Sequence, residues 1–189
     1  MINKNKIRKL TTAAVLSALS VVMVMFLRTP LFASAPFLEY DPADIPILLG
    51  GIFLGPFWGL AMTVAVSAIQ ATTVSAQSGV YGFIMHVIAT GTLVLTVTVI
   101  NRYIKIGEKA KLITSVIIGV ITATAVMVGA NLIITPAFTG WPVSSVKEIL
   151  LPIIIPFNLI KLGGNAALTV VLYKVLNKYI HRFIENSRS

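Results

Sequence analysis

Apolar runs of about twenty residues follow one another along this chain, with charge confined to short stretches between them. A backbone embedded in lipid must satisfy its own polar groups, so runs of this length fold as membrane helices. Of 189 residues, 57% are hydrophobic and 11% charged, whereas soluble domains carry about a quarter charged residues. A hydrocarbon core about 30 Å thick takes roughly 20 residues per helix, which leaves room for about six spans and no soluble domain. The expected architecture is an all-α integral membrane bundle of six transmembrane helices, forming one domain over residues 1–189. Hydropathy places the helices at 8–27, 44–55, 56–75, 79–100, 112–134 and 151–178. The second is short, and Gly50, Gly51, Gly55 and Pro56 suggest that it meets the third through a tight break. The apolar stretch behind the basic start MINKNKIRKL is too long for a cleaved signal and reads as a retained first helix.

Orientation follows from the loops. Six spans put both termini on one side, and that side holds Lys4, Lys6, Arg8 and Lys9, then Arg102, Lys105, Lys109 and Lys111, then Lys174, Lys178, Arg182 and Arg188. The opposite loops hold only Arg28 and Lys147, together with Glu39, Asp41, Asp44 and Glu148. By the positive-inside rule both termini are expected in the cytoplasm, with loops 28–43 and 135–150 outside. This topology also accounts for the net charge of +9 without a nucleic-acid site, because the basic residues do not share one face. The chain has no cysteine, which excludes disulfides, thiolate metal sites and cysteine nucleophiles. Its halves show no repeat of the kind that builds self-sufficient alternating-access carriers.

Polar side chains inside a span are costly, so where they gather is informative. Gln70, Thr72, Thr73 and Ser75 end the third helix near the outer surface, and Gln77, Ser78 and Tyr81 open the fourth. His86 sits about 10 Å deeper, and Asn131 and Thr135 close the fifth helix at the same level. Asn158, Lys161 and Asn165 fall within about 60° of one another on the last helix, a polar stripe expected to face inward. Lys161 must snorkel outward, pair with a group in the bundle or meet a ligand. Asn131 and Asn158 suit interhelical hydrogen bonding as well as ligand contact, and a histidine bonded within the bundle is the commoner role for His86. The loop LFASAPFLEYDPADIP suits a lid, although Asp44 can also cap the second helix and Asp41-Pro42 can form a turn. Ala14 and Ala18 lie one turn apart on the first helix and allow close approach of another helix, from inside the protein or from a partner.

No HExxH, GxSxG or GxxxxGK[ST] pattern is present, so neither catalysis nor ATP hydrolysis is expected of this chain, nor a metal site. Uphill movement of a solute would need a partner to supply the energy.

The segments FLEYDPADIPILLGGIFLGPFWG, SAQSGVYGFIMHVIATGT, NLIITPAF and LLPIIIPFNLIK resemble, in order and spacing, the substrate-binding S component of an energy-coupling factor transporter, most closely the riboflavin-specific type. The resemblance spans almost the whole chain. It implies an external pocket closed by the loop between the first two helices, in a multi-pass protein of the bacterial cell membrane. Riboflavin would be the transported ligand and not a cofactor. It also implies partners: a transmembrane coupling protein and two cytoplasmic ATPases, with Ala14 and Ala18 matching the strip that contacts the coupling protein. By motif, Asn131, Asn158 and Lys161 match polar contacts to the flavin, and Leu38, Tyr40 and Phe157 would enclose its ring. Gln70 joins this set because Val66-Ser67 replaces the Lys-Asn pair that many riboflavin-type relatives carry one turn earlier. With that departure, S components for folate, pantothenate or a thiamine precursor, or one for a modified flavin, stay open. From other classes, so do a non-transport scaffold and a stand-alone channel.

Overall fold

The computed structural model describes residues 4–185, and Arg188 of the basic terminal cluster lies outside them. Helix α1 (Lys4–Leu27) leads into a loop whose two-residue strands β1 (Thr29–Pro30) and β2 (Glu39–Tyr40) pair antiparallel, Thr29 opposite Tyr40. Then come α2 (Asp44–Leu54), α3 (Pro56–Thr72), α4 (Gly79–Tyr103) and α5 (Glu108–Thr139). The last crossing is α6 (Val143–Ile149), a π turn (Leu150–Ile154) and α7 (Ile155–Glu185) in unbroken succession. Helices α1, α4, α5 and the α6–α7 unit are long and apolar enough to cross a membrane. At 1.5 Å per residue, α2 is only about 16 Å long. It is the inner helix of the bundle, packed against α1, α3, α4 and α7, with Ile47 and Leu48 fully buried.

The break between α2 and α3 is as tight as the glycines suggest. Gly55 has φ of 105°, a backbone state that L side chains rarely adopt, and its N–H bonds back to Gly51 O at 2.9 Å. Four residues on, a Cβ on Gly59 would stand 2.4 Å from Val94 Cγ1 and 2.9 Å from Gly51 Cα, so α2 and α3 meet almost backbone to backbone there, with the Val94 side chain of α4 against them.

Several boundaries differ from the hydropathy reading: α1 and α5 each start four residues earlier, α4 ends at 103 instead of 100, and the last helix runs to 185 instead of 178. Three further differences bear on the site. Helix α3 stops at Thr72, because Gln70 O accepts from both Thr73 N–H (3.2 Å) and Ser75 N–H (2.8 Å) and closes a turn. Helix α5 runs five residues past 134, straight through Pro136, to Gly140, which caps it with φ of 75°. The last crossing begins at Val143 instead of 151, so the expected loop 135–150 shrinks to residues 140–142. Proline is the reason hydropathy misses this: Pro142 starts α6, and the π turn holds Pro152, which lacks an N–H.

Loop 28–43 is not a passive connector. Ala35 and Leu38 are buried in a small apolar cluster with Val146, Ile154 and Phe157, and the Phe37 ring meets Phe138 and Trp141 edge to face. The loop therefore roofs the end of the bundle where α5 and α6 join.

Candidate functional site

A cavity lies beneath this roof, between α3 and α4 on one side and α5 and α7 on the other. The space is about 970 Å³ when the open region at its mouth is counted, and it is lined by apolar side chains with a few polar groups among them, as small-molecule sites are.

Helix α7 supplies the charged wall, for a reason legible in its register. Positions 158, 161 and 165 fall on one face, and Asn158 and Asn165 are buried as that spacing implies. Lys161 Nζ donates to Asp41 Oδ2 at 2.6 Å and to the Glu39 carbonyl at 3.2 Å, so of the three fates open to a buried lysine it takes pairing while still lining the cavity. Asn165 lies one turn deeper and ties the start of α2 in place, donating to Asp41 O and Asp44 Oδ2, both at 2.8 Å. Tyr40 is held in the same network, its hydroxyl donating to Asn165 Oδ1 at 3.0 Å, and it is not among the cavity-lining residues.

The acids have separate duties. Asp44 does not cap α2: no side-chain cap bond forms there, and Asp44 instead accepts from Thr90 Oγ1 at 2.5 Å and from Asn165. Asp41 does shape the turn, accepting the Ala43 N–H at 3.1 Å. Burial opposes ionisation of Asp41, but the Lys161 ammonium and the Ala43 N–H outweigh it and hold the carboxyl below the usual carboxylate range. Glu39 pairs with Arg28, which also donates to the Val74 carbonyl. That contact fastens the roof hairpin to the end of α1 and to the α3–α4 turn.

On the α5 side, Asn131 donates to Met127 O at 2.8 Å and accepts from Thr135 Oγ1 at 2.8 Å, while Asn158 donates to Ile154 O at 2.8 Å. Each amide thus directs one hydrogen to the carbonyl four residues back and keeps a second for the cavity. Leu38 and Phe157 contribute apolar walls and Gln70 a polar one. Of the seven residues singled out for the ligand, the structure brings six to one cavity and leaves out Tyr40.

Sequence reasoning gave too little weight to the α3–α4 wall. Ser67 Oγ donates to Thr63 O at 2.6 Å and lies 2.9 Å from His86 Nδ1, and both residues line the cavity. Gln70 Nε2 and His86 Nε2 are buried without a hydrogen-bond partner. Arg28, Met85, Met127 and Phe138 also line it; apolar residues at helical spacing look alike from sequence whether they face a cavity or lipid. Away from the cavity, Ala14 and Ala18 are exposed, whereas Ala13, Ser20 and Val24 form the buried face of α1.

Comparison with known proteins agrees with this architecture. The riboflavin transporter FmnP of Bacillus subtilis (strain 168) is 29% identical, with 97% of each chain covered. The riboflavin transporter RibU of Staphylococcus aureus (strain TCH60) is 26% identical, with 96% of each covered. A solved structure of the S component of a bacterial ECF transporter superposes with a TM-score of 0.79 at 26% identity, covering 93% of this chain and 98% of that one. The model of the family "ECF transporter, substrate-specific component" matches residues 8–173. With that match across most of its length, the chain belongs to the substrate-specific component family of ECF transporters: multi-pass proteins of the bacterial cell membrane that bind a transported substrate and work with an ECF module, and not enzymes.

Proposed function

We propose that this protein captures riboflavin from outside the cell and delivers it inward together with a transmembrane coupling protein and two cytoplasmic ATPases. It acts as a single six-helix membrane domain over residues 1–189, with both termini in the cytoplasm. The observation that carries the reading is the roofed cavity itself, where Asn131, Asn158, Lys161 and Gln70 face a space walled by Leu38 and Phe157. A planar ring with hydrogen-bonding edges suits such a site, mostly apolar with a few placed polar groups. The names of the two riboflavin transporters similar to this chain support the same substrate.

In this reading Asn131, Asn158 and Lys161 bond to the flavin, Leu38 and Phe157 enclose the ring, and Tyr40 acts from behind by fixing Asn165. Loop 28–43 opens to admit ligand and closes again through Arg28. Ala14 and Ala18, exposed on α1, form the contact with the coupling protein. Transport separates this from the scaffold and channel readings. In cells lacking their own riboflavin uptake, labelled riboflavin should accumulate only when this chain is expressed with the coupling protein and active ATPases. Accumulation without active ATPases would overturn the proposed mechanism. Displacement of bound riboflavin by folate, pantothenate or thiamine precursors, each tighter than riboflavin itself, would move the substrate to that vitamin.

A further inference from the structure

The α3–α4 wall carries two buried nitrogens that the protein leaves without hydrogen-bond partners. Gln70 is 5% exposed and the His86 side chain 10%, and both line the cavity. Leaving such atoms buried and unpaired is costly, and a bound ligand can remove that cost. Their chemistry is set locally. Ser67 Oγ has one hydrogen, and at 2.6 Å it is donated to Thr63 O. His86 Nδ1, 2.9 Å from Ser67 Oγ, must then carry the hydrogen of that contact. In the neutral imidazole this leaves Nε2 an acceptor, 3.8 Å from Asp44 Oδ1 and beyond hydrogen-bond reach of it. Gln70 Nε2 is a donor. Ser75, Ser78 and Thr90 add hydroxyls to the same wall.

A donor and an acceptor lining one wall of the cavity, neither satisfied, are met together by groups that both donate and accept. Aliphatic hydroxyls do so at every position of a polyol, with the serine and threonine hydroxyls of this wall as further partners; the ring's imide edge, an N–H between two carbonyls, is the competing occupant, and a flavin without the polyol distinguishes the two. We infer that Gln70 and His86 recognise the hydroxylated side chain of the ligand and so determine specificity, while the α5–α7 wall holds the ring. This rests on the flavin reading above and assigns the two ends of that ligand to opposite walls.

The test compares riboflavin with lumiflavin, which keeps the ring but has a methyl group in place of the polyol. Both are titrated by fluorescence quenching into the full chain, purified in detergent and stripped of ligand. The wild type should prefer riboflavin by about tenfold or more, the size of one or two buried hydrogen bonds. His86→Phe and Gln70→Leu should each weaken riboflavin by about tenfold and lumiflavin far less, so that the preference collapses. Gln70→Leu leaves the Ser67–His86 contact in place and serves if His86→Phe does not fold. Equal weakening of both ligands, or of neither, in a folded variant overturns the inference while the flavin reading stands. A folded wild type that binds neither flavin removes both.

Discussion

Breaking the Asp41–Lys161 pair from either side strands a buried charge, which typically costs about 3–5 kcal/mol. Lys161→Met should therefore lower the thermal midpoint of the purified protein as well as its affinity for riboflavin. The two effects come apart in the double variant Asp41→Asn with Lys161→Met, which buries no unpaired charge. Stability should largely return in thermal unfolding while riboflavin affinity stays low; recovery of both would mean that Lys161 only pairs and does not touch ligand. Asp41 also fixes a pH dependence. Its carboxyl is held below the usual range by Lys161, so the stabilisation is present above the unfolded-state value, about 4, and is lost as pH falls through the lower native value. Thermal midpoints measured down the acid range should hold through mildly acidic pH and drop only below about pH 4, and the double variant should flatten that drop. At this scale the sequence was readable where helical register alone decides a direction, as for Asn158, Lys161 and Asn165. Tyr40 was not readable, because nothing local indicates that its hydroxyl turns back to Asn165, 125 positions away. Nor was the open valence of His86, which depends on where one hydrogen of Ser67 goes.

Among the elements, α2 supports the site from below although none of its residues lines the cavity and it is too short to span a membrane. The turn before it presents Asp41 to α7, its first residue Asp44 binds α4 and α7, and its glycine face lets α3 and α4 close around it. Gly59→Ala puts a methyl group against Val94 and the Gly51 backbone, and should destabilise the protein by about 1–3 kcal/mol in thermal unfolding. The roof makes a different prediction. Arg28→Ala removes the link from the hairpin to the α3–α4 turn, so riboflavin should dissociate faster in stopped-flow displacement, with a smaller change in association. An unchanged dissociation rate would mean that the apolar contacts of Phe37 and Leu38, with the Lys161 bonds to Glu39 and Asp41, suffice to close the loop. Helix number and the glycine break were legible because they follow from hydropathy and from backbone freedom. The true start of the last crossing was hidden by Pro142 and Pro152, which read as breaks in isolation but are absorbed by a helix start and a π turn.

For the molecule as a whole, capture and coupling occupy different surfaces. The cavity lies under the roof, while Ala14 and Ala18 sit on an exposed face of α1 and line no part of it. Ala14→Leu with Ala18→Leu should leave riboflavin affinity in detergent intact while sharply reducing ATP-dependent uptake in cells; loss of binding itself would place this strip inside the bundle. Membrane character is readable in bulk composition, and loop charge supplies an expected orientation, whereas the identity of the ligand rests on a handful of cavity atoms. The central claim is that this chain alone holds one riboflavin in the roofed cavity. Its most direct test is a riboflavin titration of the purified, ligand-free protein, following flavin fluorescence. Saturation at one riboflavin per chain, markedly weakened by Lys161→Met with Asp41→Asn, is the predicted result; a folded sample that quenches no flavin fluorescence would contradict it.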